Sequence, residues 1–150
     1  MSDIAAIRTG LAGVLAARIQ DANGRPDVQA YALETIVPPV VRVLRIEEIQ
    51  FDIAAAGGGD SIVFTIQAIV GLVDARSSQE NLDLMLGRGG AQSVKSAIET
   101  KDASGTRSLG GVVDDVWVRS ASGYREYDID GYRFLGAEWL AQVETRTTPP

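Results

Sequence analysis

The stretch LGGVVDDVWVRSASGYREYDIDGYRFLGAEWLAQVE, residues Leu109 to Glu144, decides how the rest of the chain is read. It holds both tryptophans and three of the four tyrosines. Val112 to Arg119 reads as one strand, Ser120-Ala-Ser-Gly123 as a turn, and Tyr124 to Ile129 as a second strand. Asp130-Gly131 is a two-residue hairpin signal, because both residue types tolerate positive φ. Beyond it, Leu135, Ala137, Trp139, Ala141 and Val143 alternate, which places one apolar face on the strand Tyr132–Glu144. The block is rich in residues that build sheets and interfaces and poor in residues that do chemistry.

Upstream, Ile4, Ile7, Leu11, Val14, Leu15 and Ile19 fall on one stripe of a helix that Ser2 or Asp3 can cap. Gly24 and Pro26 end it. A short strand is expected over Val28–Leu33 and another over Val40–Ile46, after Pro38-Pro39 has forced the chain to extend. Ala54-Ala-Ala-Gly-Gly-Gly59 makes Glu47–Asp60 a mobile loop, since glycine runs lose much entropy on ordering. Ser61–Val73 is apolar and β-branched, too short to cross a bilayer as a helix, and reads as a long central strand. Ser77 and Glu80 have capping-box spacing before a helix through Leu82–Leu86. A second short helix follows over Ala91–Glu99, and the polar stretch Thr100–Gly111 is expected to be flexible. The tail Thr145–Pro150 is expected to be disordered. The order α-β-β-β-α-α-β-β-β predicts a single α+β domain: a mostly antiparallel sheet with an N-terminal helix and a central helical pair on one face.

Composition narrows the chemistry. Histidine and cysteine are both absent. Ser-His-Asp and Cys-His nucleophile systems are therefore excluded, and zinc, haem and iron–sulfur groups lose their usual ligands. A carboxylate-only Mg or Ca site is the one metal class left. The net charge of −6 opposes broad attraction to nucleic acid or anionic lipid. The start, MSDIAAIRTG, has no basic region ahead of an apolar run, so no secretory signal is expected.

The remaining constellations have plain explanations. Asp114-Asp115 is the sharpest acidic pair, but neighbours on a strand point to opposite faces and do not converge. Asp128 and Asp130 are spaced like the start of a calcium loop, yet the later ligands are missing and the hairpin accounts for them. Gly57-Gly-Gly59 and Gly87-Arg-Gly-Gly90 do not fit a phosphate loop, although Arg88 and Lys95 could meet an anion near a helix start. Arg8, Arg18, Arg42 and Arg45 form no basic run and are expected to be solvated or paired locally. Trp117 and Trp139 are read as core residues ahead of interface anchors. No cofactor and no catalytic residue is expected.

Three pieces together carry a resemblance: SDIAAIRTGLAGVLAARI, then FTIQAIVGLVDARSSQENLDLMLG with SVKSAIE, then LGGVVDDVWVRSASGYREYDIDGYRFLGAEW. Over about residues 3 to 143 the chain resembles the tail terminator, or tail completion, proteins of long-tailed bacteriophages. The likeness is to those of actinobacterial phages with flexible, non-contractile tails. The resemblance implies a structural virion protein, not an enzyme. It would form a six-membered ring on the head-proximal end of the tail tube, assembled in the host cytoplasm. The ring would halt tube polymerisation and offer a surface to the head connector. Its implied partners are other copies of itself, the tail tube protein and a head–tail connector or stopper protein. DNA would pass through the lumen unbound, and no membrane is involved.

The family has no fixed site to transfer. Contact candidates come from the glycine-rich loops and from aromatics beside turns: Gly57, Gly58, Gly59, Asp60, Arg88, Lys101, Arg107, Tyr124 and Tyr127. The alternatives are another phage neck protein, such as a stopper or adaptor, a small carboxylate–metal enzyme, or a monomeric binding domain.

Overall fold

A computed structural model describes residues 4–19, 26–31, 37–51, 59–71, 75–103 and 105–145. Ser2, Asp3, Gly24, Gly57, Gly58, most of the Ala54–Gly59 run and the tail after Thr145 lie outside them. The described elements are α1 (Ile4–Arg18), β1 (Asp27–Gln29), β2 (Val40–Gln50), β3 (Asp60–Val70), α2 (Ala75–Leu86), α3 (Val94–Glu99), β4 (Asp115–Ile129) and β5 (Tyr132–Thr145). The strands form one sheet in the order β1-β2-β3-β5-β4. Only β1–β2 is parallel; the other three pairs are antiparallel. The fold is α+β, as the element order predicts.

One face of the sheet carries the main core. Ile62, Phe64, Ile66, Ala68 and Val70 of β3 meet Leu135, Ala137, Trp139, Ala141 and Val143 of β5 there. Both sets follow the period of two that puts alternate side chains on one face. The helices close over this face. Ile7, Leu11, Leu15 and Ile19 supply the stripe of α1, Leu82 and Met85 that of α2, and Val94, Ala97 and Ile98 that of α3. Every residue of β3 from Ser61 to Val70 is buried, which identifies it as the central strand.

Several boundaries differ from the sequence expectation. Strand β2 runs on through Glu47, Glu48 and Ile49 to Gln50, paired with Ser61, so Glu47–Gln50 belong to a strand and not to a loop. Register shifts at Val43/Arg45 and Ile46/Glu48 break the alternation that would have revealed it. Ser120-Ala-Ser-Gly123 is not a turn but the irregular middle of β4, where register shifts at Val118/Ser120 and Ser122/Arg125 absorb extra residues. Gly123 supplies the positive φ of 68° that such a bulge needs. Two expected strands thus become one strand of fifteen residues.

Helix α2 starts at Ala75, so Ser77 sits inside it and does not cap it. The working cap belongs to α3, where Ser93 Oγ accepts from Ser96 N–H at 3.0 Å, and this helix begins at Val94. Finally, Val112 and Val113 form a turn ahead of β4, and the strand after Pro26 is only Asp27–Gln29; Tyr31 lies beyond it.

The stretch 100–114 is built rather than loose in its described residues. Asp102 organises it: its N–H donates to Thr106 O at 2.9 Å, and its carboxylate accepts from Thr106 N–H and from Ser108 Oγ. Leu109, at φ 53°, turns its side chain into the core against Gly10 of α1. The arginines of α1 are also structural. Arg8 donates to the carbonyls of Ala30 and Val43 at 3.0 and 2.9 Å, tying α1 to the sheet. Arg18 donates to Ala97 O and Thr100 O at the end of α3, where carbonyls lack helical partners.

Candidate functional site

The helix-free face of the sheet carries a polar ladder across its three inner strands. Arg42 of β2 is buried and donates from Nε to Gln67 Oε1 of β3 at 2.9 Å. Gln67 Nε2 donates in turn to Glu138 of β5 at 3.3 Å. Glu47 accepts from Thr65 Oγ1 and pairs with Arg45 at 2.7 Å, and Arg45 reaches Glu138 at 3.6 Å. Hydrogen bonding from Thr65, helped by the charge of Arg45, holds the Glu47 carboxyl below its usual value. These long side chains cover Thr65 and Gln67 and let buried polar groups on a face without helices find partners. Beside the ladder lies a pit of about 180 Å³ lined by Glu48, Gln50, Ser61, Val63, Arg119 and Gln142.

A second charged cluster stands at the outer edge of β4. Arg107 makes a two-pronged bond to Asp115, at 2.9 Å from Nε and 3.0 Å from Nη2. Its Nη1 lies 3.8 Å from Glu99 of α3. Glu99 also bonds Lys95, one helical turn earlier, and accepts the Val118 N–H at 2.9 Å. Burial pushes the Glu99 carboxyl up, but these hydrogen bonds and the charges of Lys95 and Arg107 prevail and hold it below its usual value.

The contact candidates do not converge on one place. Arg107 sits in the charged cluster just described, whereas Lys101 and Arg88 are exposed elsewhere on the surface. Gly59 is buried next to Asp60, which starts β3 opposite Thr145 of β5. Tyr124 is half exposed on β4, and burial together with the nearby Asp83 carboxylate of α2 pushes its hydroxyl up. Tyr127 is buried, donates to Gly123 O at 2.7 Å and carries the Arg125 guanidinium 4.5 Å over its ring. Gly57 and Gly58 lie outside the described residues. Sequence reading missed Lys95 and Glu99 as a working pair, although their spacing of four on a helix was the available signal.

No group of three or more acidic side chains among the described residues is arranged to hold a metal ion. Asp114 and Asp115 diverge: Asp115 turns to Arg107 while Asp114 is exposed, its N–H bonded to Glu144 O. Among the described residues no helix is long and apolar enough to cross a membrane.

Apart from Tyr31, which carries the Arg8 guanidinium over its ring, most of the large exposed apolar side chains among the described residues sit at the sheet's two ends. Val37, just before β2, and Tyr132, at the start of β5, mark one end. Phe51, just after β2, and Val112, just before β4, mark the other. Leu84 of α2 and Tyr124 of β4 are exposed away from these ends. Comparison of the sequence with protein-family models finds no family that matches, and a search among curated proteins finds no relative.

Proposed function

We propose that this chain is the subunit of a six-membered ring that caps the tail tube of a long-tailed bacteriophage. The ring stops tube polymerisation and gives the head connector its joining surface, at the head-proximal end of the tail. The reading begins from the resemblance of residues 3 to 143 to tail terminator proteins. The observation that supports it best is that exposed apolar side chains stand at both sheet ends, Val37 and Tyr132 at one and Phe51 and Val112 at the other, while the two faces between them differ, one under helices and one polar. A subunit between a tube and a connector needs contact surface at both ends. A ring closed by rotation likewise needs two different flanks, because its contacts are heterologous. The helical layer and the polar ladder are two such flanks.

In this reading the chain has no catalytic task and takes no cofactor; its partners are its own copies, the tube protein and a connector or stopper protein. The net charge of −6 lets DNA pass through the lumen without sticking. In the expected contact segments Glu47–Asp60 and Thr100–Gly111, the described residues Asp60, Lys101 and Arg107 serve as contact points.

The test is binding. The purified chain should sediment with isolated tail tubes and not with capsids carrying connectors alone. Binding to connectors in preference to tubes would overturn the reading in favour of a stopper or adaptor.

A further inference from the structure

Among the described residues, β1 offers three residues at one edge of the sheet and β4 fifteen at the other. A long open edge is a template for another strand, and proteins that remain soluble blunt it. In an antiparallel ladder a residue turns its N–H and C=O to the same side, and the residue two positions away does likewise. Val116 and Val118 of β4 turn theirs away from β5. The Val118 N–H goes to Glu99 at 2.9 Å and its carbonyl accepts from Lys95 Nζ at 3.4 Å. The Val116 N–H goes to the Asp115 carboxylate at 2.9 Å. Two successive outward amides are thus each held by a carboxylate, where a neighbouring sheet would supply carbonyls. Arg107 bridges the two carboxylates, bonded to Asp115 and 3.8 Å from Glu99. Just beyond, Arg119-Ser-Ala-Ser122 is exposed and, apart from Arg119, small on both faces, so another backbone can approach closely.

We propose that Lys95, Glu99, Asp115 and Arg107 form an edge cap that keeps β4 from pairing with the β4 of a second copy of this chain. The occupant excluded is a second copy because every copy carries the same β4 edge, and antiparallel self-pairing of its regular part, Asp115–Val118, sets like outward groups against one another. Such a pair is two-fold and closed, so it would withdraw subunits from any heterologous assembly. The cap stands whether or not the ring reading does.

The chain has no cysteine, so introduced ones report contact cleanly. Ser120→Cys, Ala121→Cys and Ser122→Cys are each made in the full chain, in the native background and with Lys95→Ala/Glu99→Ala. Under mild oxidation at least one position should give disulfide-linked dimers in the uncapped background, at roughly ten times the native yield. Arg107→Gln, which loosens both carboxylates without touching the core, should give an intermediate yield and guards against misfolding of the double variant. In the native chain, the Val116 and Val118 amides should exchange slowly although they face away from β5. Equal dimer yields in all backgrounds, or rapid exchange at both amides, would overturn the proposal.

Discussion

The ring of Tyr127 on β4 lies across Gly136 on β5. A Cβ placed on Gly136 would come within 3.0 Å of Tyr127 Cδ2, and within 2.9 Å of Ile69 Cδ1 and 2.6 Å of the Ala68 carbonyl oxygen. The missing side chain is what lets the tyrosine fold down, join Val40 and Ile69 in a second apolar cluster, and reach the Gly123 carbonyl. Because one of the obstructing atoms is backbone in the central strand, Gly136→Ala cannot be absorbed by a rotamer change. The variant is expected to lose about 1–3 kcal/mol by overpacking, read from denaturant unfolding. A stability equal to wild type would show that the strands are further apart here.

The two tryptophans should behave differently. Trp139 is buried in the main core, whereas Trp117 is only partly buried, between the core-facing Val116 and Val118. Trp139→Ala should cost about 3–5 kcal/mol. Trp117→Ala should cost about 1 kcal/mol, in keeping with a side chain that leaves only part of its area in the protein. Equal losses, measured by circular dichroism on thermal unfolding, would contradict the burial assignment.

At the hairpin, Asp130 has φ 54° and Gly131 φ 80°. Gly131→Ala forces a Cβ into a left-handed conformation and should cost about 1–2 kcal/mol. Asp130→Asn keeps a residue that tolerates this region and should be close to neutral in the same unfolding assay.

Acid should act on the edge cap. The Glu99 carboxyl is held below its unfolded value of 4.5, so it contributes stability above that pH. The contribution is lost as pH falls from 4.5 through the lower folded value. Glu99→Gln should therefore cost about 1 kcal/mol near pH 7, and the gap to wild type should shrink below pH 4.5. A gap that widens in acid would reverse the sign of the argument.

How much of this was legible in the sequence depended on periodicity. The alternation of Leu135, Ala137, Trp139, Ala141 and Val143 announced β5 and its buried face, and the stripe Ile7, Leu11, Leu15, Ile19 announced α1. Where bulges interrupt the period, in β2 after Val43 and in β4 after Val118, the boundaries were lost. Asp102, which rigidifies its stretch through short-range bonds, gave no periodic signal at all. The surface was legible only residue by residue. Arg107 was recognisable as a notable cation, but its partners Glu99 and Asp115 come from a helix and a strand that only the fold brings together.

The most direct test of the assembly role is the length of tail tubes built without this chain, seen in negative-stain electron micrographs. Tubes much longer than normal and without heads are expected, with normal length restored when the purified chain is present during assembly. Tubes of normal length that merely fail to join heads would contradict that role.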